Sequence, residues 1–431
     1  MALEKIVIGR NRDDLKAFGD QGTTYIGKHI VGKGDEAHLT NPIRMDVTRP
    51  HIVLICGKRG SGKSYSAGII AEEVSLLPKE VKKNLAVLFI DTMGIYWSMS
   101  SPNEKERDIL KQWGLKPQAA KVKFFVPREH ASSYDKVGVK VDGIITLPAG
   151  ELASHDWVIA FGFSPIDAHG IAIEQAVKAV KQKYGNSYAI SDIIKVIEQD
   201  TRTEKKVKDA LINRFLVAQE WGIFEKKGTP LSTLFQAGTI TILDVSHFAT
   251  TSQTWSVRGM LVGLLARKIY DERLKSRKAE EFEVMTGERR ERIPMVWIMI
   301  DEAHMFLPNE GETAASRPLL TLIKQGREPG VSLLMITQRP DKLHEDALAQ
   351  SDLVISHRLT AQADLEALRA IMQTYVLEDI EEYINTLPRQ KGAAIVLDDN
   401  SERIYAIQMR PRLSWHAGGS PSAIKKKSIF D

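Results

Sequence analysis

Short, almost wholly apolar runs recur along this chain: HIVLIC (51–56), LAVLFID (85–91), TITILDV (239–245), VWIMID (296–301), VSLLMIT (331–337), LVISHRL (353–359) and AAIVLD (393–398). Runs of this length without polar alternation predict strands buried on both faces. Stretches with helical spacing lie between several of them, among them 66–77 and 255–278. Strands alternating with helices predict an α/β fold with a largely parallel sheet covered on both sides. Residues 103–235 differ in texture. They carry helical periodicity (HGIAIEQAVKAVKQKY, SDIIKVIEQD, EKKVKDALINRFLVAQEWGIF) and one strand-like patch, KVKFFVP, and read as a mostly helical insertion between core strands. Residues 1–48 show short β segments broken by glycine, which predict a small β subdomain packed on the main body. The predicted organisation is thus a β subdomain (1–48), a first core part (49–102), the insertion (103–235), a second core part (236–410) and a tail (411–431) packed on the core or a neighbouring subunit. The charge-dense stretch 271–292 reads as a solvated helix end with a loop, or as a loop facing a channel or partner.

Composition narrows this picture only a little. Hydrophobic residues at 43% and charged ones at 26% are ordinary for a soluble globular protein. No apolar run approaches ~20 residues, so no transmembrane helix is expected. The charged N-terminal sequence MALEKIVIGRNRDD gives no expectation of a signal peptide. A single cysteine, Cys56, excludes an intrachain disulfide framework and points to a reducing cytoplasm. Cys56 itself reads as a packing residue. The net charge of +4 neither supports nor excludes nucleic acid, because a ring can concentrate positive charge in its channel.

The chemistry is more specific. Gly57-Lys58-Arg59-Gly60-Ser61-Gly62-Lys63-Ser64 matches G-x-x-x-x-G-K-[ST] in full, after an apolar strand and before a helix. Glycines let the backbone wrap close to phosphate, where its N–H groups and the helix N-terminus hold negative charge. Lys63 is expected to reach the β/γ-phosphates of ATP and Ser64 to offer its hydroxyl to Mg2+, with Tyr65 following in the binding segment. Downstream, an apolar run ends in Asp301-Glu302. An aspartate at a core strand tip can hold magnesium, and the adjacent Glu302 is placed as general base on the attacking water. The 331–337 run ends in Thr337-Gln338-Arg339-Pro340, making Gln338 a candidate γ-phosphate sensor. Arg327, before that run, and Arg49, before the P-loop strand, are candidate trans-acting groups, with a surface salt bridge as the alternative for each. His357-Arg358 is similarly open, and Asp91 either joins the site or caps the next turn.

Other classes fit less well. Asp301-Glu302-Ala303-His304 spells the box of two-lobed helicases, but the 127 residues after His304 leave little for a second motor lobe. No Asn-Lys-x-Asp guanine signature occurs, no His/Cys spacing suggests zinc, and the seven tryptophans are too scattered to argue a base-stacking platform.

Taken in order, these blocks resemble the HerA/FtsK superfamily of DNA-pumping ATPases, specifically its HerA-like branch. The similarity includes Tyr25-Ile26-Gly27-Lys28-His29, the P-loop preceded by an arginine and His51, Asn213-Arg214-Phe215 and Gly222-Ile223-Phe224. It continues through Thr241–Ser246, Asp301–His304, Gly326-Arg327, Thr337–Pro340, His357-Arg358-Leu359 with Asp364, and Arg410-Pro411-Arg412 with His416. The resemblance implies a RecA-like, additional-strand P-loop ATPase core, a homohexamer with ATP between subunits, and double-stranded DNA through the centre. It also implies Arg327 as the arginine finger, Arg49 as a second cross-interface sensor, and a NurA-like nuclease as partner. Pro50 separates Arg49 from His51. Two departures stand out: Gly94-Ile95-Tyr96 replaces the Gly-Glu-Tyr common in relatives, and the N-terminal β region is shorter than the barrel that in relatives helps dock a partner nuclease. The expected function is an ATP-driven double-stranded DNA translocase in repair or processing. The alternatives are a nucleotide-dependent hexameric scaffold that switches an effector, and a relative driving transfer at a membrane.

Overall fold

Wholly apolar strands need cover on both faces, and here they have it. The computed structural model describes residues 5–32, 36–249, 252–372, 383–384 and 386–419. Its strands begin with β1 (Ile6–Ile8), β2 (Thr23–Val31), β3 (His38–Asp46), β4 (Ile52–Cys56), β5 (Leu85–Asp91), β6 (Val122–Val126), β7 (Gly143–Ile144) and β8 (Leu147–Pro148). There follow β9 (Phe224–Glu225), β10 (Ile240–Asp244), β11 (Met295–Ile300), β12 (Val331–Thr337), β13 (Leu353–His357), β14 (Ala393–Asp398) and β15 (Arg403–Met409). Among the described residues, one 13-stranded sheet runs in the order β1-β3-β2-β15-β14-β13-β4-β12-β11-β5-β10-β6-β7, and β8 pairs with β9 apart from it. From β13 to β7 every pairing is parallel. The pairings that link β13, β14, β15, β2 and β3 are antiparallel. Strand β12 stands between β4 and β11, which is the additional-strand, RecA-like arrangement expected from the sequence.

Period-two alternation sends the side chains of each central strand into two separate cores. Val53 and Ile55 of β4 face one, Leu54 and Cys56 the other; Trp297 and Met299 of β11 part from Val296, Ile298 and Ile300 in the same way. The helix Lys63–Leu76 covers the first face. Helices Ser252–Thr286 and Ser316–Gln325 cover the second, together with Ala168–Tyr184, Ile190–Gln199 and Lys205–Glu220. Cys56 is fully buried, and burial pushes its thiol up to about 12. It packs.

Three features add to what periodicity indicated. The β segments of residues 1–48 continue the main sheet, joined to it through β15. Their close approach needs Gly27, since a Cβ there would lie 2.3 Å from the Gln408 carbonyl oxygen. The patch KVKFFVP within 103–235 supplies β6, which pairs with β10 in the same sheet. The charge-dense stretch is helical as far as Thr286, and its Arg273 is buried, with Nε donating to the Pro329 carbonyl at 2.7 Å.

The segment after β15 is strapped to the P-loop helix. Glu72, buried on that helix, pairs with Arg410 at 2.8 Å and accepts from the backbone N–H groups of Leu413 (2.8 Å) and Ser414 (2.9 Å). Arg410 also reaches Glu73 at 3.0 Å. Breaking such a buried pair costs roughly 3–5 kcal/mol, because the remaining charge is left without a partner. Among the described residues no helix is long and apolar enough to cross a membrane.

Candidate active site

Strand β4 delivers the chain to the carboxyl edge of the sheet, where it must turn sharply to enter the helix. Gly57, Gly60 and Gly62 make that turn with φ of 150°, 77° and 116°, values a side chain disfavours. At Gly57 a Cβ would also meet the His357 Cβ at 2.6 Å. The loop is pinned from below. Lys58 N–H donates to the Arg358 carbonyl at 2.9 Å, and Ser61 N–H to that of Lys58 at 3.2 Å. Gly62 caps the helix without any side-chain hydrogen bond, so the first N–H groups stay open to an anion. Lys58, Arg59 and Gly60 are exposed, whereas Lys63 is buried and donates from Nζ to the Lys58 carbonyl at 3.1 Å. Burial draws the Lys63 pKa down, while the charges of Glu302 and Asp301 oppose that shift.

Asp301 and Glu302 follow β11 directly, one strand beyond β12. Burial and the Glu302 charge push Asp301 up to about 7, against the pull of Lys63. Burial also raises Glu302, again opposed by Lys63. Glu302 adopts a left-handed backbone (φ 50°), which costs about 1–3 kcal/mol for a residue with a side chain. Gln338, just past β12, donates from Nε2 to Glu302 Oε1 at 3.0 Å. His304 Nδ1 lies 3.0 Å from Thr337 Oγ1 and 3.4 Å from Glu302 Oε2. Lys63, Asp301, Glu302 and Gln338 are therefore brought together.

A magnesium-bound triphosphate fits this site on two grounds. Among the described residues, Ser61 Oγ, Asp301 Oδ2 and Glu302 Oε2 are buried oxygens without a hydrogen-bond partner, and such groups normally find one. The uncapped helix start supplies donors for the anion those acids would otherwise repel. Ser64 and Asp301 are the residues that could hold the ion.

The profile of the family described as Helicase HerA, central domain, matches residues 24–264, more than half of the chain. This chain belongs to the HerA helicase family. It is 30% identical over 142 residues to the DNA double-strand break repair helicase HerA of Pyrococcus furiosus, covering 31% of this chain and 24% of that one. The match thus spans about a quarter of that relative's length. A protein of the same description from Sulfurisphaera tokodaii is 22% identical over 425 residues, covering 96% of this chain and 74% of the relative. Among solved structures, VirB4 of Thermoanaerobacter pseudethanolicus superposes with a TM-score of 0.56 at 13% identity, covering 91% of this chain and 98% of that one. That last likeness is one of fold.

In this HerA-family chain the two candidate arginines are not with the other site residues. Arg49 precedes β4 and Arg327 precedes β12, at the amino edge of the sheet, where both line one cavity of about 810 Å3. The seven residues of β12 rise roughly 23 Å, so Arg327 cannot reach the P-loop of its own chain. Arg49 pairs with Asp14 at 2.6 Å. Asp91 caps the following turn. Its Oδ1 accepts from Gly94 N–H at 2.7 Å and its Oδ2 from Tyr96 N–H at 2.8 Å. Burial and the neighbouring Asp244 push it up to about 8.

Sequence reasoning left His357 open. Fully buried beneath Gly57, its Nε2 lies 2.9 Å from Ser66 Oγ and its Nδ1 3.1 Å from the Ala393 carbonyl. Burial holds it down at about 4, so it is neutral, with Nδ1–H donating and Nε2 accepting. It buttresses the P-loop. Only contact across nearly the whole chain reveals that role, and no local signal carries it.

Proposed function

We propose that this chain hydrolyses ATP and couples the reaction to movement along double-stranded DNA. It would act as a homohexameric ring in DNA repair or processing, beside a nuclease of the NurA type. The observation that carries the chemical part is the convergence of Lys63, Asp301, Glu302 and Gln338 around buried oxygens that lack hydrogen-bond partners among the described residues. DNA and repair enter from the descriptions of the HerA relatives.

In this mechanism Glu302 accepts the proton of the attacking water at Oε2, the oxygen not engaged by Gln338. Its raised basicity, held in place by burial, favours that transfer. Lys63 places its charge on the β/γ-phosphate oxygens, and the loop N–H groups hold the phosphates in line for attack. Ser64 and Asp301 would hold Mg2+, which would supply positive charge against the charge developing on the phosphates. Gln338 joins Glu302 to the Thr337–Pro340 turn, so a change at the γ-phosphate can pass to the next element of the chain.

The placement of Arg49 and Arg327 supports a ring, because groups at the amino edge can serve only a nucleotide held by a neighbouring copy. Arg327→Ala is expected to lower turnover roughly a thousandfold or more while leaving nucleotide binding in place. Mixing Arg327→Ala chains with Lys63→Ala chains should restore part of the ATPase, since some interfaces then combine an intact Lys63 with an intact Arg327. No recovery on mixing would remove the trans role.

Duplex DNA is expected to accelerate ATP turnover several-fold. Affinity for DNA should fall steeply between low and physiological salt, because phosphate contacts release counterions. Absence of stimulation, with an effector protein activated instead, would favour the scaffold. Electron microscopy with and without ATP tests the ring directly.

A further inference from the structure

The chain bends back on itself directly after the strand tip at Asp301. Glu302 takes its left-handed backbone, and Ala303–Met305 close a tight turn, with Met305 N–H donating to the Glu302 carbonyl at 2.9 Å. That reversal lays the His304 ring against the Glu302 side chain two residues earlier, where Nδ1 comes within 3.4 Å of Oε2. Strained backbone of this kind gathers at functional sites. Burial, then the Arg339 charge, draws the His304 pKa down against the pull of Asp341, so the imidazole is neutral.

The same nitrogen meets the tip of β12. It lies 3.0 Å from Oγ1 of Thr337, which is wholly buried and also accepts from Arg339 N–H at 3.0 Å. The tautomer follows from charge. With its hydrogen on Nδ1 the ring donates to Thr337 Oγ1 and turns a positive edge toward Oε2, whereas a bare Nδ1 would set its lone pair against the carboxylate. Gln338, next along, grips the other oxygen, Oε1, at 3.0 Å. Consecutive residues of one strand tip thus reach both oxygens of Glu302, Gln338 directly and Thr337 by way of His304.

We infer that His304 is a positioning residue for hydrolysis, carrying the fixed place of the Thr337 hydroxyl to Glu302 Oε2 and so holding the carboxylate plane turned toward the water. This role presupposes Glu302 as the general base and adds what aims it. Oε2 has no hydrogen bond of its own among the described residues, so Gln338 alone would leave Oε1 as a pivot about which Oε2 could swing. A ring seated on that side removes the swing. Misplacing a reacting group by about 1 Å can cost about a hundredfold in rate.

The test is a double-mutant cycle in the full chain, read as single-turnover hydrolysis of Mg2+–ATP beside equilibrium binding of Mg2+–ATPγS. His304→Ala should slow hydrolysis roughly 10- to 100-fold and leave ATPγS affinity within about twofold. His304→Asn, whose amide can donate from near the Nδ1 position, should recover most of that rate. Thr337→Val keeps the shape of the strand tip and loses only the hydroxyl. It should slow hydrolysis at least about threefold, and it carries the test without touching the ring. Combined with Glu302→Gln, His304→Ala should slow the residual reaction by less than about twofold, because no base is left to aim. An undiminished His304→Ala effect in that background would overturn the inference, as would equal losses of rate and ATPγS affinity, or no recovery in His304→Asn. Full turnover by Glu302→Gln would remove the general base and this role with it, and failure of wild type to bind ATPγS would remove the nucleotide reading itself.

Discussion

Glu302→Gln should bind ATP within about threefold of wild type yet turn it over about 10²–10⁴ times more slowly, the span that general-base catalysis typically supplies. The amide is nearly the same shape as the carboxylate, so it can keep the Gln338 contact at Oε1 and the left-handed backbone at this position. What it cannot do is take a proton at neutral pH. Single-turnover hydrolysis read beside equilibrium binding separates these effects. Equal loss of binding and turnover would mean that Glu302 holds the nucleotide and does not activate water.

Lys63→Ala carries the largest expected loss of binding. The ammonium is buried and faces two acids, and the triphosphate adds further negative charge beside them. Removing one partner of a buried, hydrogen-bonded charge pair costs about 2–5 kcal/mol, so affinity for ATP should fall by roughly 30- to several thousandfold. Hydrolysis should be undetectable at nucleotide concentrations that saturate wild type. Titration calorimetry checks the first claim and phosphate release the second. Retention of wild-type affinity would place the phosphates elsewhere than against this lysine.

The parts of this site that were legible in the sequence are those written locally. The P-loop is a strand, a glycine turn and a helix in direct succession, and each piece has its own composition. Asp301-Glu302 and Gln338 were legible because an apolar run ending in a polar residue marks a strand tip, whatever lies beyond. Strand β15 was harder. Arg403 is exposed and Ile404 to Ala406 only half-buried, so its first half lacks the wholly apolar texture of the central strands. Without β15 the N-terminal strands had no visible place in the sheet, because Gly27 meets Met409 only in three dimensions. His357 beneath Gly57, Arg273 against Pro329, and Glu72 with Arg410 are likewise contacts between distant segments. Each looks, in sequence, like an ordinary polar residue on a strand or helix.

The bonds from Glu72 to Leu413 and Ser414 also set an order of events during synthesis. A ribosome exposes Gly57–Ser64 early, but the helix behind them lacks its buried ion pair until the Arg410–Ser414 segment has emerged some 340 residues later. Nascent chains stalled before that point should carry the phosphate-binding motif in full and yet hold its helix loosely, so nucleotide capture would await emergence of that segment.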